Sequence, residues 1–448
     1  MTTNGNTLVA QFILDTTWET LPDEVQRKAR LALLDALAAT LSGTLTHVSR
    51  IAAGYAATAF RGDEATILLH SSRASAAGAA FANGYAANGL DIDDCAKYTR
   101  GHPGAQIFPA ALAVSEKVGA SGKEMLTAMV VGYEVAHRTA RCWHDHHEIY
   151  QACGSWGSVA CAAVAARLMR LDSETTKQAL GIAEYHAPNL PMMRDIDHPA
   201  MVKHGIGWGA LNGIISAELA QRGFTGIPSI LGFESYHDWV ASLGDEYIMV
   251  RGVTFKRWSS CAWGHPAMLA AHQLAEKHAF VPEQIAKVRV YTFHEGWRLS
   301  QRKPESTEEA QFSIKWPLAA LLLDGQVGPE QILERRFKDE AVSALVEVIE
   351  VIEDPEVERM YRLFCTSVDK VPDARFTSRV EVMLKDGRVL DSGLVDRAIS
   401  HQDESGVEGK FRWLASYVLD EERVAQVLEA ARELDRLPKV GDLTRMVR

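Results

Sequence analysis

The stretch RFTSRVEVMLKDGRVLDSGLVD, residues 375–396, alternates apolar and polar residues on both sides of Asp386-Gly387. Period-2 alternation around an Asp-Gly pair predicts a β-hairpin. KVRVYTFHE at 287–295 repeats the alternation, and helical patterns lie between the two at 309–324, 328–333 and 339–351. Residues 259–400 therefore read as a mixed α/β unit of domain size, and no strand pattern occurs before residue 255.

Outward from that unit the chain reads as helix. In WETLPDEVQRKARLALLDALAATLSG (18–43) apolar residues recur at helical spacing, Thr20 is placed to cap and Pro22 suits the first turn. Residues 47–60 and 74–89 are rich in Ala and Gly, which permit close helix approach and predict burial between larger helices. Core helices are expected at 122–143 and 157–171, and helices continue from 172 to 220, broken at Pro188, Pro191 and Pro199. VKHGIGWGALNGIISAELAQRG (202–223) reads as the last of these. A further helix is expected at 265–278, and GKFRWLASYVLDEERVAQVLEAARELDRL (409–437) returns to helix. The expected fold is mainly α: a large all-helical domain from residues 1–258 and 401–448, with a smaller α/β lid domain inserted at 259–400.

A chain of 448 residues exceeds the usual limit of one core, which fits two domains. A net charge of −11 disfavours nucleic acid as a partner, since such a surface must neutralise phosphates. No apolar run is long enough to span a bilayer, so no membrane partner is expected. The opening MTTNGNTLVAQFILDTTW lacks a basic region, and Asp15 interrupts its apolar run, so a cytoplasmic location is expected. The six cysteines (95, 142, 153, 161, 261 and 365) show no CxxC pair, which predicts reduced thiols rather than a disulfide framework or zinc site.

The chemistry concentrates in LDIDDCAKYTRGHPGAQIFPAALAVSE (90–116). Asp91, Asp93 and Asp94 admit three readings: ligands for a divalent metal, exposed carboxylates capping a helix, or, for Asp91, a partner orienting a catalytic imidazole. His102 lies between Gly101 and Pro103, in a loop shaped to hold a side chain. Lys203 sits among apolar and glycine residues, where an ammonium is costly unless an anion meets it or the chain snorkels to solvent. Lys256, in FKRWSSCAWGHP (255–266), has the same two readings. His265 suits either a pocket or a helix start. The run His144-Asp145-His146-His147-Glu148 lacks metal-ligand spacing and reads as an exposed loop. Gly154-Ser155-Trp156-Gly157 opens a helix, but Walker and Rossmann glycine patterns are both absent.

LDIDD followed by HPG and PAALA, together with the LP-x-E-V helix opening at residue 21, resembles the MmgE/PrpD family. Its members include 2-methylcitrate dehydratase, cis-aconitate decarboxylase and iminodisuccinate epimerase. The resemblance implies a helical domain with a smaller lid, a site in the cleft, no metal or other cofactor, and a homodimer. It implies catalytic roles for His102 and Asp91, with Lys203 and Lys256 binding a small carboxylate substrate. The decarboxylase-like members have Thr where this chain has Cys95, His at Gln151, His at Cys261 and Tyr at Trp316. Those four positions, with His265, are expected around the substrate. The activity implied is a cofactor-independent lyase of a di- or tricarboxylate, with an epimerase of an imino- or aminodicarboxylate as the alternative.

Overall fold

A computed structural model describes residues 4–367, 371–397 and 403–448. The helical part comprises α1 (Gly5–Asp15), α2 (Asp23–Gly43), α3 (His47–Ala59), α4 (Ala76–Ala87), α5 (Gly104–Val118), α6 (Gly122–His146), α7 (Cys153–Leu168), α8 (Ser173–Tyr185), α9 (Met192–Asp197) and α10 (Ile206–Gln221). Helix α2 starts after Pro22, and Thr20 belongs to a preceding 3₁₀ turn, Trp18–Thr20. Ser75 caps α4 and Ser121 caps α6, each accepting a backbone N–H.

The small-residue helix α4 is buried along its whole length and packs on α2, α3, α5 and α10. Its neighbours approach at backbone distance: a Cβ on Gly43 would lie 1.8 Å from the Ala86 carbonyl oxygen. By contrast α3 is only half buried, with Ile51 52% and Tyr55 51% exposed.

Two-residue strand pairs occur in this part after all. Ala65–Thr66 pairs with Arg73–Ala74, and Cys95–Ala96 pairs with Val253–Thr254. Period-2 reading cannot detect strands this short, since two residues contain no period.

The α/β part holds α11 (His265–His278), α12 (Lys315–Asp324), α13 (Glu340–Val348) and α14 (Pro355–Thr366), with strands β1 (Ile285–Thr292), β2 (Ile349–Glu353), β3 (Thr377–Leu384) and β4 (Val389–Asp396). The sheet order is β2-β1-β3-β4. The β1/β2 pair is parallel, with Val288 opposite Ile349, and the others are antiparallel, with Val288 opposite Val382 and Met383 opposite Val389. Helix α11 covers β3 and β4. The hairpin turns at Gly387, whose φ of +91° suits glycine.

Strand β2 corrects the expected helix at 339–351. Its β-branched Ile-Glu-Val-Ile segment leaves the helix to pair with β1, and Asp354-Pro355 then caps and starts α14. Helices α15 (Glu404–Ala415) and α16 (Glu421–Arg432) return to pack on α2. The boundary expected between residues 400 and 401 lies outside the described residues. Among the described residues, no single helix is long and apolar enough to cross a membrane.

Candidate active site

Several local features carry side chains to the 90–104 loop. After α4, the buried Asn88 Nδ2 donates to Asp93 Oδ1 over 2.9 Å and reaches Asp91 Oδ1 at 3.4 Å. The short ladder pairing Cys95 with Thr254 brings Lys256, two residues further on, against the loop. Lys256 Nζ donates to Asp91 Oδ1 over 2.6 Å. From another direction comes Lys203–Gly205, a 3₁₀ turn that precedes α10.

Lys203 was expected on a helix, and the structure corrects this. Lys203 and His204 have φ of +43° and +55°, outside the helical region, and α10 begins only at Ile206. Seven described non-glycine residues have positive φ, and four of them, Asp91, Arg100, Lys203 and His204, belong to this region. Such conformations cost about 1–3 kcal/mol each and persist where surrounding packing imposes them.

His102 Nδ1 lies 2.8 Å from the Asp94 carbonyl oxygen and 3.2 Å from Asp93 Oδ2. A carbonyl oxygen only accepts, so Nδ1 carries a hydrogen. Nε2, 3.5 Å from Asp91 Oδ1, is left to give or take a proton. Burial opposes charge on His102, but the groups around it, Asp93 first, together outweigh this and shift the imidazole well above its usual range. Burial likewise pushes Asp91 up, yet Lys256, then His102 and Lys203, hold it well below the usual carboxylate range. Asp94 goes the other way. Burial, then Asp35 and Asp93, raise it to about 7.

All three carboxylates are buried. Asp94 does cap a helix, since Gly104 N donates to its Oδ1 over 3.0 Å, while Tyr133 Oη donates to its Oδ2 over 2.7 Å. Only the expected exposure fails. Asp91, Asp93 and His102 offer ligand atoms within 4.8 Å of one another. A divalent ion there would face the Lys256 ammonium already on Asp91, so the charge of the loop is met by Lys256 and the imidazolium instead.

Cys95, His102 and Cys261 line a cavity of about 60 Å³, together with Arg100, His204 and Arg397. Burial raises the Cys261 thiol to about 12. Lys203 is fully buried among residues distant in sequence. Its Nζ donates to Gln311 Oε1 over 2.5 Å and lies 5.1 Å from the centre of the Phe312 ring. No carboxylate among the described residues pairs with it within 4.0 Å. His265 begins α11, and its Nε2 lies 3.3 Å from the Ser260 carbonyl oxygen, to which Lys256 Nζ also donates. Burial, then Lys256, lower His265 to about 3, so it is a neutral imidazole.

Two expected pocket residues are taken up in other contacts. Gln151 accepts from Leu190 N over 2.6 Å and donates to Asn189 Oδ1 over 2.9 Å, which clamps the 188–191 loop. Trp316 is fully buried in α12, where its Nε1 donates to the Gln331 carbonyl and its ring packs edge-on against Phe337. Neither lines the cavity around His102, and Lys203, Lys256 and His265 are not among its lining residues either. Of the His144–Glu148 run, expected as an exposed loop, His144–His146 end α6 and His147–Glu148 follow it; Asp145–Glu148 are exposed, while His144 Nε2 lies 2.9 Å from the Thr99 carbonyl.

Sequence reading did not find Asn88, His204 or Gln311, and it left Asp93 without a role. His204 stacks on His102, with ring centres 5.5 Å apart and planes 9° from parallel, and its Nδ1 lies 2.8 Å from Asp195 Oδ2. Gln311 joins the two parts of the chain, accepting from Lys203 and donating to the Gly89 carbonyl over 2.9 Å. His204 adjoined Lys203 in VKHG and was a visible signal; Asn88 and Gln311 carried none.

A family model described as the MmgE/PrpD N-terminal domain matches residues 7–242, and one described as the MmgE/PrpD C-terminal domain matches 258–436. Cis-aconitate decarboxylase of Homo sapiens is 27% identical, over 96% of this chain and 91% of that protein. Cis-aconitate decarboxylase of Aspergillus terreus is 22% identical, over 95% of this chain and 92% of that protein. The mitochondrial 2-methylcitrate dehydratase of Yarrowia lipolytica is 24% identical, over 70% of this chain and 64% of that protein.

Proposed function

The chain belongs to the MmgE/PrpD family, and on that premise we propose that it is a lyase of a small di- or tricarboxylate, of the cis-aconitate or 2-methylcitrate class. It works by proton transfer at a carbon next to a carboxylate, without a cofactor. The observation that carries this reading is a buried ammonium, Lys203, whose hydrogen-bond partner is a neutral amide, next in sequence to the His204 ring that stacks on His102. A substrate carboxylate supplies the anion that Lys203 lacks.

In this reading Lys203 and Lys256 offset the negative charge that spreads onto a carboxylate when the neighbouring carbon becomes a carbanion. His102 exchanges the proton through Nε2. Asp93 stabilises its charged form, and Asp91 holds Lys256 in position. Because Asp93, 3.2 Å from Nδ1, favours the charged form of His102, decarboxylation is the exit proposed. The C–C bond breaks, its electron pair stays on the substrate carbon as CO₂ leaves, and His102 Nε2–H protonates that carbon.

An epimerase of an imino- or aminodicarboxylate is the second reading. It is favoured by Cys261, which shares the cavity with His102, because inversion needs two groups: His102, once it has given up its Nε2 proton, takes one from the substrate, and the Cys261 thiol returns one on the other face.

Incubation in D₂O with cis-aconitate, 2-methylcitrate and iminodisuccinate, followed by proton NMR, separates these outcomes. Release of CO₂ or water supports the lyase, and deuterium uptake with inversion supports the epimerase. His102→Ala lowers the rate by about 10²–10⁴. No turnover of any of the three acids, or an unchanged rate in His102→Ala, refutes the reading. A homodimer in the cytoplasm is part of the same proposal, checked by light scattering and by fractionation.

A further inference from the structure

The cavity around His102 has a cationic wall that the proton-transfer chemistry does not use. Arg100 leaves the 90–104 loop at a left-handed residue, and Arg397 directly follows β4 of the α/β part. Both line the cavity. Each guanidinium is held against an aromatic ring: Arg100 lies 4.2 Å from the centre of Tyr150, and Arg397 lies 4.9 Å from that of Phe376. Stacking of this kind fixes the plane of a guanidinium and leaves its N–H edges free to bind.

Those edges lack an anion. Among the described residues no carboxylate lies within 4.0 Å of either guanidinium, and Arg100 Nε is buried with no hydrogen-bond partner. Glu295, the carboxylate whose charge bears on Arg100, is bound by Arg362 over 2.7 Å. Arg397 donates only to a neutral group, Thr254 Oγ1, over 2.9 Å among the described residues. Burying a guanidinium unpaired is costly, and a carboxylate matches its fork in a way that water does not.

We infer that Arg100 and Arg397 together bind a second carboxylate of the substrate, remote from the carbon that exchanges its proton with His102. The inference rests on the carboxylate-lyase reading and assigns the ends of the acid: one carboxylate is met by the lysines and another by the arginines. Since one arginine belongs to the helical part and the other to the α/β part, the bound acid bridges both. Monocarboxylates lack this bridge.

The test is binding, measured without turnover. Calorimetry with tricarballylate, an unreactive tricarboxylate, is run on the full chain and on Arg100→Gln, Arg397→Gln, Arg397→Lys and Lys203→Met. Circular dichroism and melting check that each variant is folded. Saturation-transfer NMR with crotonate reports on a single carboxylate. Each Arg→Gln variant is expected to weaken tricarballylate by at least about tenfold, with Arg397→Lys intermediate, while crotonate binding stays within about twofold. Lys203→Met weakens both ligands. Tricarballylate binding that is unchanged in Arg100→Gln and Arg397→Gln but lost in Lys203→Met overturns the second subsite and leaves the lyase reading intact. Failure of the unaltered protein to bind tricarballylate, citrate or cis-aconitate overturns both.

Discussion

Lys256 Nζ and Asp91 Oδ1 are 2.6 Å apart although 165 positions separate them in the chain, and both side chains are buried. Removing one member of a buried pair leaves the other charged and unpaired. Lys256→Met should therefore cost about 3–5 kcal/mol in stability. Lys256→Met combined with Asp91→Asn should recover most of that loss. Urea denaturation of the two single variants and the double variant checks this, and a double variant no better than the worse single one contradicts it.

Lys203 should behave in the opposite way, because its partner is the neutral Gln311 amide. Lys203→Met leaves no orphaned carboxylate, so its melting temperature should equal or exceed that of the unaltered protein. Its kcat/KM for the turned-over polycarboxylate should fall by about 10²–10³. A large loss of stability with modest loss of activity would instead make Lys203 a packing residue.

Asp94 predicts a pH dependence of stability. Its carboxyl is raised from 3.8 to about 7, chiefly by burial. A raised folded pKa contributes stability that is complete below the unfolded value and is lost as pH rises through the folded one. That contribution should thus decline between about pH 4 and 7. Asp94→Asn, which cannot ionise, should gain on the unaltered protein across that window, as measured by urea midpoints at half-unit steps.

Burial raises the Cys142, Cys153 and Cys261 thiols to about 12, and only thiolates react readily. At pH 8 iodoacetamide should leave these three unlabelled in the folded protein and label them in denaturant. Peptide mass spectrometry reads the sites directly.

The cluster of Asp91, Asp93 and His102 was legible because its parts are close in sequence. Asp91, Asp93 and His102 fall within a dozen residues, and glycine and proline flank the histidine. The distinction between the three carboxylates was not legible. All three lie in one short loop, but Asp91 meets Lys256, Asp93 meets His102, and Asp94 meets Tyr133 and the start of α5. Those partners come from different elements, and only packing assigns them. The same holds for Lys410 of α15, whose Nζ donates to the Asp35 carboxylate and to the Ile92 carbonyl over 2.6 Å, bracing the 90–104 loop from the far end of the chain.

Periodicity by itself determined the helical body, the hairpin at 377–396 and the point where strands begin in earnest, because those depend on near neighbours along the chain. Tertiary structure decided the rest. It turned Ile349–Glu353 into a strand by offering β1 as a parallel partner, and took Lys203 off its expected helix into a left-handed turn. It also sent Gln151 and Trp316 into structural contacts while bringing His204, Gln311, Arg100 and Arg397 to the site. The physical reason is that burial and charge pairing are set by distance in space, and a local pattern carries no record of which remote side chain will fill a given position.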